Sequence, residues 1–141
     1  AKGTYFLDTF TEALDTPLRY SQLIDGEYEQ PKSLGPQFAV GTYNAHPFIA
    51  PDESYICWDR RREGGYGTSA LYVSFRAADG SWGPAVNLGD QINTASAENY
   101  PSISPDGNLL FFDRRERAEN GDTSVNIFWV SAQFLETLRP E

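Results

Sequence analysis

The chain has no methionine, one cysteine and one histidine in 141 residues. Cys57 alone cannot close an internal disulfide, so the sequence fits an oxidising or a reducing compartment equally. His46, with no second His or Cys ligand, does not make up a zinc set. Positive charge is also scarce, with 11 Lys+Arg against 20 Asp+Glu and a net charge of −9. Such a chain repels a phosphate backbone and anionic lipid, which argues against nucleic acid or a membrane surface as its main partner. No apolar run reaches the length of a membrane span. Nine Pro and twelve Gly, spread along the chain, leave little room for a long helix. The start, AKGTYFLDTF, carries no charged-then-apolar leader, which fits a cytoplasmic protein or one processed or trimmed before this point. No Gly-x-Ser-x-Gly elbow occurs, so a serine- or cysteine-type hydrolase has no support.

What the chain does have is aromatic residues, 14% of the total within a hydrophobic fraction of 40%. Tyr, Phe and Trp suit pleated, half-buried strands, and the expectation is an all-β protein. It also repeats. PFIAPDESYICWDRR at 47–61 lies without a gap over PSISPDGNLLFFDRR at 101–115, an offset of 54. DGEYEQPKSLG at 25–35 lies over DGSWGPAVNLG at 79–89 at the same offset. Two separate blocks that agree on one period mark a structural repeat.

Each repeat reads as four short strands. In the middle one these are HPFIA, SYICW, ALYVSFR and SWGPAVNLG, the last broken near Pro84. Pro51-Asp52-Glu53 makes the first turn, RREGGYGTS the loop after the second strand, and Asp79-Gly80 a tight hairpin. The last repeat has YPSIS, a Pro105-Asp106-Gly107 turn, NLLFF, a polar loop DRRERAENGDTS, and VNIFWVS. Its fourth strand is replaced by SAQFLETLR, which sets Phe134, Leu135 and Leu138 on one side of a short helix with Ser131 as N-cap. Four strands per repeat is the pattern of a β-propeller blade. The expected architecture is about three four-stranded blades in one segment, incomplete at both ends: a partial blade over 1–44, a blade over 45–98, and a blade over 99–141 ending in the helix.

The SPDG and APDE turns together with DGSWGPAVNLG resemble the WD40-like propeller repeat of TolB-type bacterial proteins. Pro101 to Gly107 match that family's Pro-x-[Ile/Val]-Ser-Pro-Asp-Gly turn in full, and Pro47 to Glu53 match it with Ala for Ser and Glu for Gly. ALYVS and NIFWVS match its third strand, with Ala70 and Asn126 replacing the family's Asp. The resemblance covers residues 45 to 131 well and the first 44 loosely. It implies a propeller and a periplasmic or secreted setting, and says little about activity, since propellers host many. Closed rings of this type have more blades than this chain encodes. Two explanations stand: the sequence is part of a longer propeller, or two copies close a six-bladed ring as a homodimer.

The candidate site is the repeated Asp-Arg-Arg, Asp59-Arg60-Arg61 and Asp113-Arg114-Arg115, where the second strand ends. Asp8 after TYFL is a third member without the arginines. One reading is structural, each Asp accepting backbone N–H groups of the next loop and an Arg bridging to a neighbouring blade. The other is a ligand rim, where Arg forks grip a carboxylate, phosphate or acidic sugar. His46 and Trp58 join that candidate rim, Trp58 as a stacking face and His46 at the start of a blade. Glu116, Glu119, Asn120 and Asp122 lack the ligand alternation of a calcium loop and read as a turn. Cys57, alternating with Trp58, reads as buried, and Trp82 and Tyr28 as matching packing positions. The function expected is a binding or scaffolding module for a small anionic ligand, a sugar or a protein, without cofactor or metal and not an enzyme. The alternative is a glycoside-acting or other hydrolytic propeller using Asp59 or Asp113 as an acid–base carboxyl.

Overall fold

The computed structural model describes residues 3–8, 17–41, 43–61 and 68–140. Within them the chain forms three antiparallel sheets and one helical turn. Sheet 1 holds β1 (Thr4–Leu7), β2 (Arg19–Ile24), β3 (Glu27–Tyr28) and β4 (Lys32–Ser33), with both β3 and β4 pairing β2. Sheet 2 runs in chain order through β5 (Tyr43–Ile49), β6 (Tyr55–Arg61), β7 (Ala70–Phe75) and β8 (Val86–Asn87). Sheet 3 holds β9 (Ala97–Ile103), β10 (Leu109–Arg117) and β11 (Thr123–Ser131), followed by α1 (Phe134–Thr137). The protein is all-β, and none of its sheets closes on itself among the described residues.

The two Pro-Asp turns, 54 residues apart in sequence, have the same backbone form. The Pro-Asp turns close with Glu53 N–H on Ala50 O and Gly107 N–H on Ser104 O, both at 2.8 Å. Gly107 has φ 76° and Glu53 φ 61°, so the turn needs a left-handed residue at that place. Glu53 holds this conformation although it is not glycine, with its carboxylate engaged by Arg76 Nη1 at 2.6 Å. Asp79-Gly80 turns as expected, with Gly80 N–H on Ala77 O at 2.9 Å and Gly80 at φ 85°.

Alternation along each strand assigns its side chains to opposite faces. Ile56, Trp58, Ala70 and Tyr72 of sheet 2 pack towards sheet 1, in a cluster with Leu18, Leu34 and Phe38 and with Phe6 and Tyr20 at its margin. Cys57, Leu71, Val73 and Phe75 point the other way and meet Ile103, Leu110 and Phe112 of sheet 3. Sheet 2 is therefore apolar on both faces, as a middle layer must be. Ile56, Cys57, Trp58, Leu71 and Val73 are all at 0% exposure. Truncating one such side chain to alanine costs about 2–5 kcal/mol.

Several boundaries differ from the sequence reading. Asp113–Arg117 and Thr123–Ser124, expected in a polar loop, belong to β10 and β11, which pair without interruption from Leu109↔Ser131 to Arg117↔Thr123. Backbone pairing decides this, because an antiparallel ladder tolerates polar side chains wherever one face is open to water. The turn is confined to 118–122, closed by Gly121 N–H on Ala118 O at 2.9 Å. Ser131 does not cap the helix: it ends β11, and Gln133 occupies the cap position without a side-chain bond. Leu135, at 1% exposure, joins the core between sheets 2 and 3, with Phe134 and Leu138 packed against it. Tyr28 is exposed rather than packed like Trp82, and meets the edge of Tyr5, with ring centroids 4.8 Å apart. Residues 62–67, the Gly-rich part of the loop after β6, lie outside the described residues.

Candidate functional site

The two Asp-Arg-Arg triplets divide into an acceptor, an anchor and a solvent-facing arginine. In β6, Asp59 is fully buried, Arg60 is 4% exposed and Arg61 is exposed. Neighbours in a strand face opposite ways, so Arg60 turns towards sheet 1 and Arg61 does not. The Arg60 guanidinium lies 3.9 Å from the ring centre of Tyr72, and its Nη1 donates to Gln37 O at 3.4 Å. Arg114 repeats this one period later. Its guanidinium lies 4.5 Å from the Phe128 ring, Nε donates to Glu98 Oε1 at 2.8 Å, and Nη2 to Ile92 O at 2.9 Å. Phe128 pairs with Phe112 just as Tyr72 pairs with Trp58, so the two cation–aromatic contacts occupy equivalent places. Arg60 and Arg114 are thus tied down inside the fold.

The aspartates link one sheet to the next. Asp8 Oδ2 accepts the His46 N–H at 2.9 Å, and Asp59 Oδ2 accepts the Tyr100 N–H at 3.1 Å. His46 and Tyr100 are one period apart, both precede proline, and both have positive φ, 49° and 55°. A residue before proline prefers extended backbone. Here a ladder irregularity at each place, between Ala45 and Phe48 and opposite Phe111–Asp113, turns the N–H towards the carboxylate of the preceding sheet. The donors come from the first strand of the next sheet, not from a loop. Asp113 is the third such aspartate, and its carboxylate accepts no hydrogen bond among the described residues, with Oδ1 buried.

Asp59 has a second guest. Its Oδ2 lies 2.6 Å from His46 Nδ1. Burial works against the imidazolium, but the hydrogen bond and charge of Asp59 outweigh it, and the His46 pKa is raised. The Asp59 carboxyl is pushed up by burial and pulled back by His46. Asp59 thus raises the proton affinity of His46, and the charge of a protonated His46 would be balanced by the carboxylate beneath it.

Above this couple, between sheets 2 and 3, opens a cleft of about 210 Å³ lined by Tyr43, His46, Arg61, Thr68, Asn99, Tyr100 and Arg115. Arg61 is positioned by Nε on Thr68 O at 3.3 Å. Arg115 forms no ion pair or side-chain hydrogen bond among the described residues. The Tyr100 ring stacks on His46 with centroids 3.7 Å apart. Arg61, Arg115 and His46 thus line one small polar cavity.

Of the residues expected at a rim, the cleft gathers His46, Arg61 and Arg115, with Asp59 as the support under His46. Arg60 and Arg114 stand behind it as anchors. Asp113 lies on the far face of sheet 3. Trp58 lies in the core at 0% exposure, its Nε1 donating to Asn44 Oδ1 at 3.1 Å, so it offers no stacking face. Tyr43 and Tyr100 were not among the expected residues; the period itself, which sets Tyr100 over His46, was the signal for the latter. A larger cleft of about 410 Å³ between sheets 1 and 2 has Arg76 committed to Glu53, which leaves it without an available arginine. No metal-binding cluster of His, Cys, Asp or Glu occurs among the described residues. No described helix is long and apolar enough to cross a membrane. No protein-family model and no curated protein matches the chain.

Proposed function

We propose that the protein is a binding module of the β-propeller type, whose ligand is a small anion held in the cleft between sheets 2 and 3. The single observation that carries the ligand class is the convergence of Arg61, Arg115 and the Asp59-backed His46 on one cavity. Guanidinium forks and an imidazolium match a carboxylate or phosphate, and the cavity volume suits a ligand the size of a sugar acid or a phosphate ester. The overall acidity of the chain sharpens the choice, because a polyanion is repelled while a small anion meets local positive charge. Support for the propeller reading comes from the 54-residue period, from three consecutive antiparallel sheets, and from the face-to-face apolar packing of each sheet on the next.

Titration calorimetry with inorganic phosphate and with a hexuronate tests the reading. Binding to the wild-type chain is expected, and Arg61→Gln or Arg115→Gln each should weaken it by about tenfold or more, the worth of one charge-assisted hydrogen bond. Equal affinity in wild type and both variants, or no binding of either anion, would remove the site.

A further inference from the structure

We propose that the outer face of sheet 3 is a docking surface for a second copy of this chain, which seats the outer face of its own sheet 1 there. The inference concerns the outer face of sheet 3, which shares Tyr100 with the anion cleft, and it is argued from side chains that do not line that cleft. By strand register, Ile127 and Trp129 stand opposite Asp113 and Phe111, as Leu71 and Val73 stand opposite Asp59 and Cys57. Leu71 and Val73 are at 0% exposure because sheet 3 covers them, whereas Ile127 is 78% and Trp129 64% exposed. Ile127 lines a groove of about 580 Å³ there with Tyr100, Phe111, Asp113 and Val125. This is the half-interface that sheet 2 offers to sheet 3, built again with larger apolar side chains and left open. Asp113 stands on it at the position from which Asp8 and Asp59 each receive a backbone N–H of the following sheet.

The same chain carries the other half. Phe6 and Tyr20 of sheet 1 face sheet 2, so Tyr5 and Leu23 face away from it, and Tyr28 sits against Tyr5. They are 60%, 47% and 49% exposed. Tyr5 lies three residues before Asp8, the place that Ile56 holds before Asp59, and Ile56 is the residue sheet 2 presents to its predecessor. Sheet 3 therefore shows the receiving side of a contact made twice within the chain, and sheet 1 shows the entering side. A contact between unlike faces is head-to-tail, and such contacts close into a ring where the rotation allows. At a net charge of −9 two copies repel each other, so the contact should strengthen as salt rises.

The test is the mass of the full chain by light scattering after size exclusion, over a concentration series and at low and high salt. The expected result is a species of twice the chain mass, favoured by salt. Ile127→Lys and Tyr5→Lys, both at exposed side chains and checked for folding by thermal unfolding, should each reduce it to the mass of one chain. Mixing the two variants should return a two-chain species, because each supplies the face the other has lost. A wild type that keeps the mass of one chain throughout overturns the proposal. So does association broken by Ile127→Lys but indifferent to Tyr5→Lys, which would mean pairing of like faces, and so does a mixture that stays monomeric. Phosphate titration of the monomeric variants reads the anion cleft separately.

Discussion

His46 and Tyr100, one repeat apart in sequence, lie ring on ring with their centroids 3.7 Å apart, and one oxygen of Asp59 binds both. A period that is only a pattern in the chain thus becomes a physical contact. Asp59 ties the side chain of its own sheet's His46 to the backbone of the next sheet.

Asp59 and Asp113 are equivalent by sequence and unequal by environment. Asp59→Ala leaves a partly buried backbone N–H and an imidazole without their acceptor, and is expected to cost about 3 kcal/mol of stability. Asp113→Ala removes no hydrogen bond made among the described residues, and should stay within about 0.5 kcal/mol of wild type. Urea unfolding of dilute protein compares them, and equal losses would sink the idea of a sheet-to-sheet latch.

Stability should fall as pH rises through the neutral range. The folded-state pKa of His46 is raised, so its contribution is complete below the ordinary imidazole value of about 6.5 and disappears as pH climbs through the raised value. Asp59, also raised, acts with the same sign at lower pH. Melting temperature across pH should decline above about 6.5 in the wild type, and that segment should flatten in His46→Gln. A parallel decline in both would assign the effect to other groups.

The two arginines of each pair should separate under mutation. Arg114→Ala strands the fully buried Glu98 and is expected to cost about 3 kcal/mol. Arg115→Ala should change stability by no more than about 0.5 kcal/mol while weakening anion binding. Chemical unfolding and calorimetry on the same two variants give the comparison. An Arg115→Ala protein that binds phosphate as well as wild type would contradict it.

Cys57 should be inert in the native protein. It is wholly buried between sheets 2 and 3, and burial pushes its thiol up to about 12. Since the thiolate is the reactive form, alkylation at neutral pH should proceed only through unfolding and accelerate with urea. Rapid labelling of the folded chain would show that the core between these sheets opens.

Much of the strand framework was legible because it is local. The Pro-Asp turns, the Asp79-Gly80 hairpin and the alternation around Trp58 depend on residues close in sequence; β7 lies where the pattern put it, while β5, β6 and β9 overlap the expected strands but run beyond them at one end, β6 through Arg61. The ends of β10 and β11 were not legible. Their Arg, Glu, Thr and Ser side chains look like a loop, while the pairing that makes them strands is between backbones. Trp58 was misplaced at a rim for a related reason, since its alternation with Cys57 says that the two face opposite ways but not which way is covered.

The sequence by itself determined the repeat, its period, the all-β class and the presence of an acceptor followed by two arginines. These follow from residue type and spacing, which the chain carries whatever it packs against. Only the tertiary structure decided which arginine of each pair is an anchor and which stays open to solvent. Adjacent residues in a strand project to opposite faces, and whether a face is core or surface depends on the sheet lying against it, some 40 to 60 residues away in the chain.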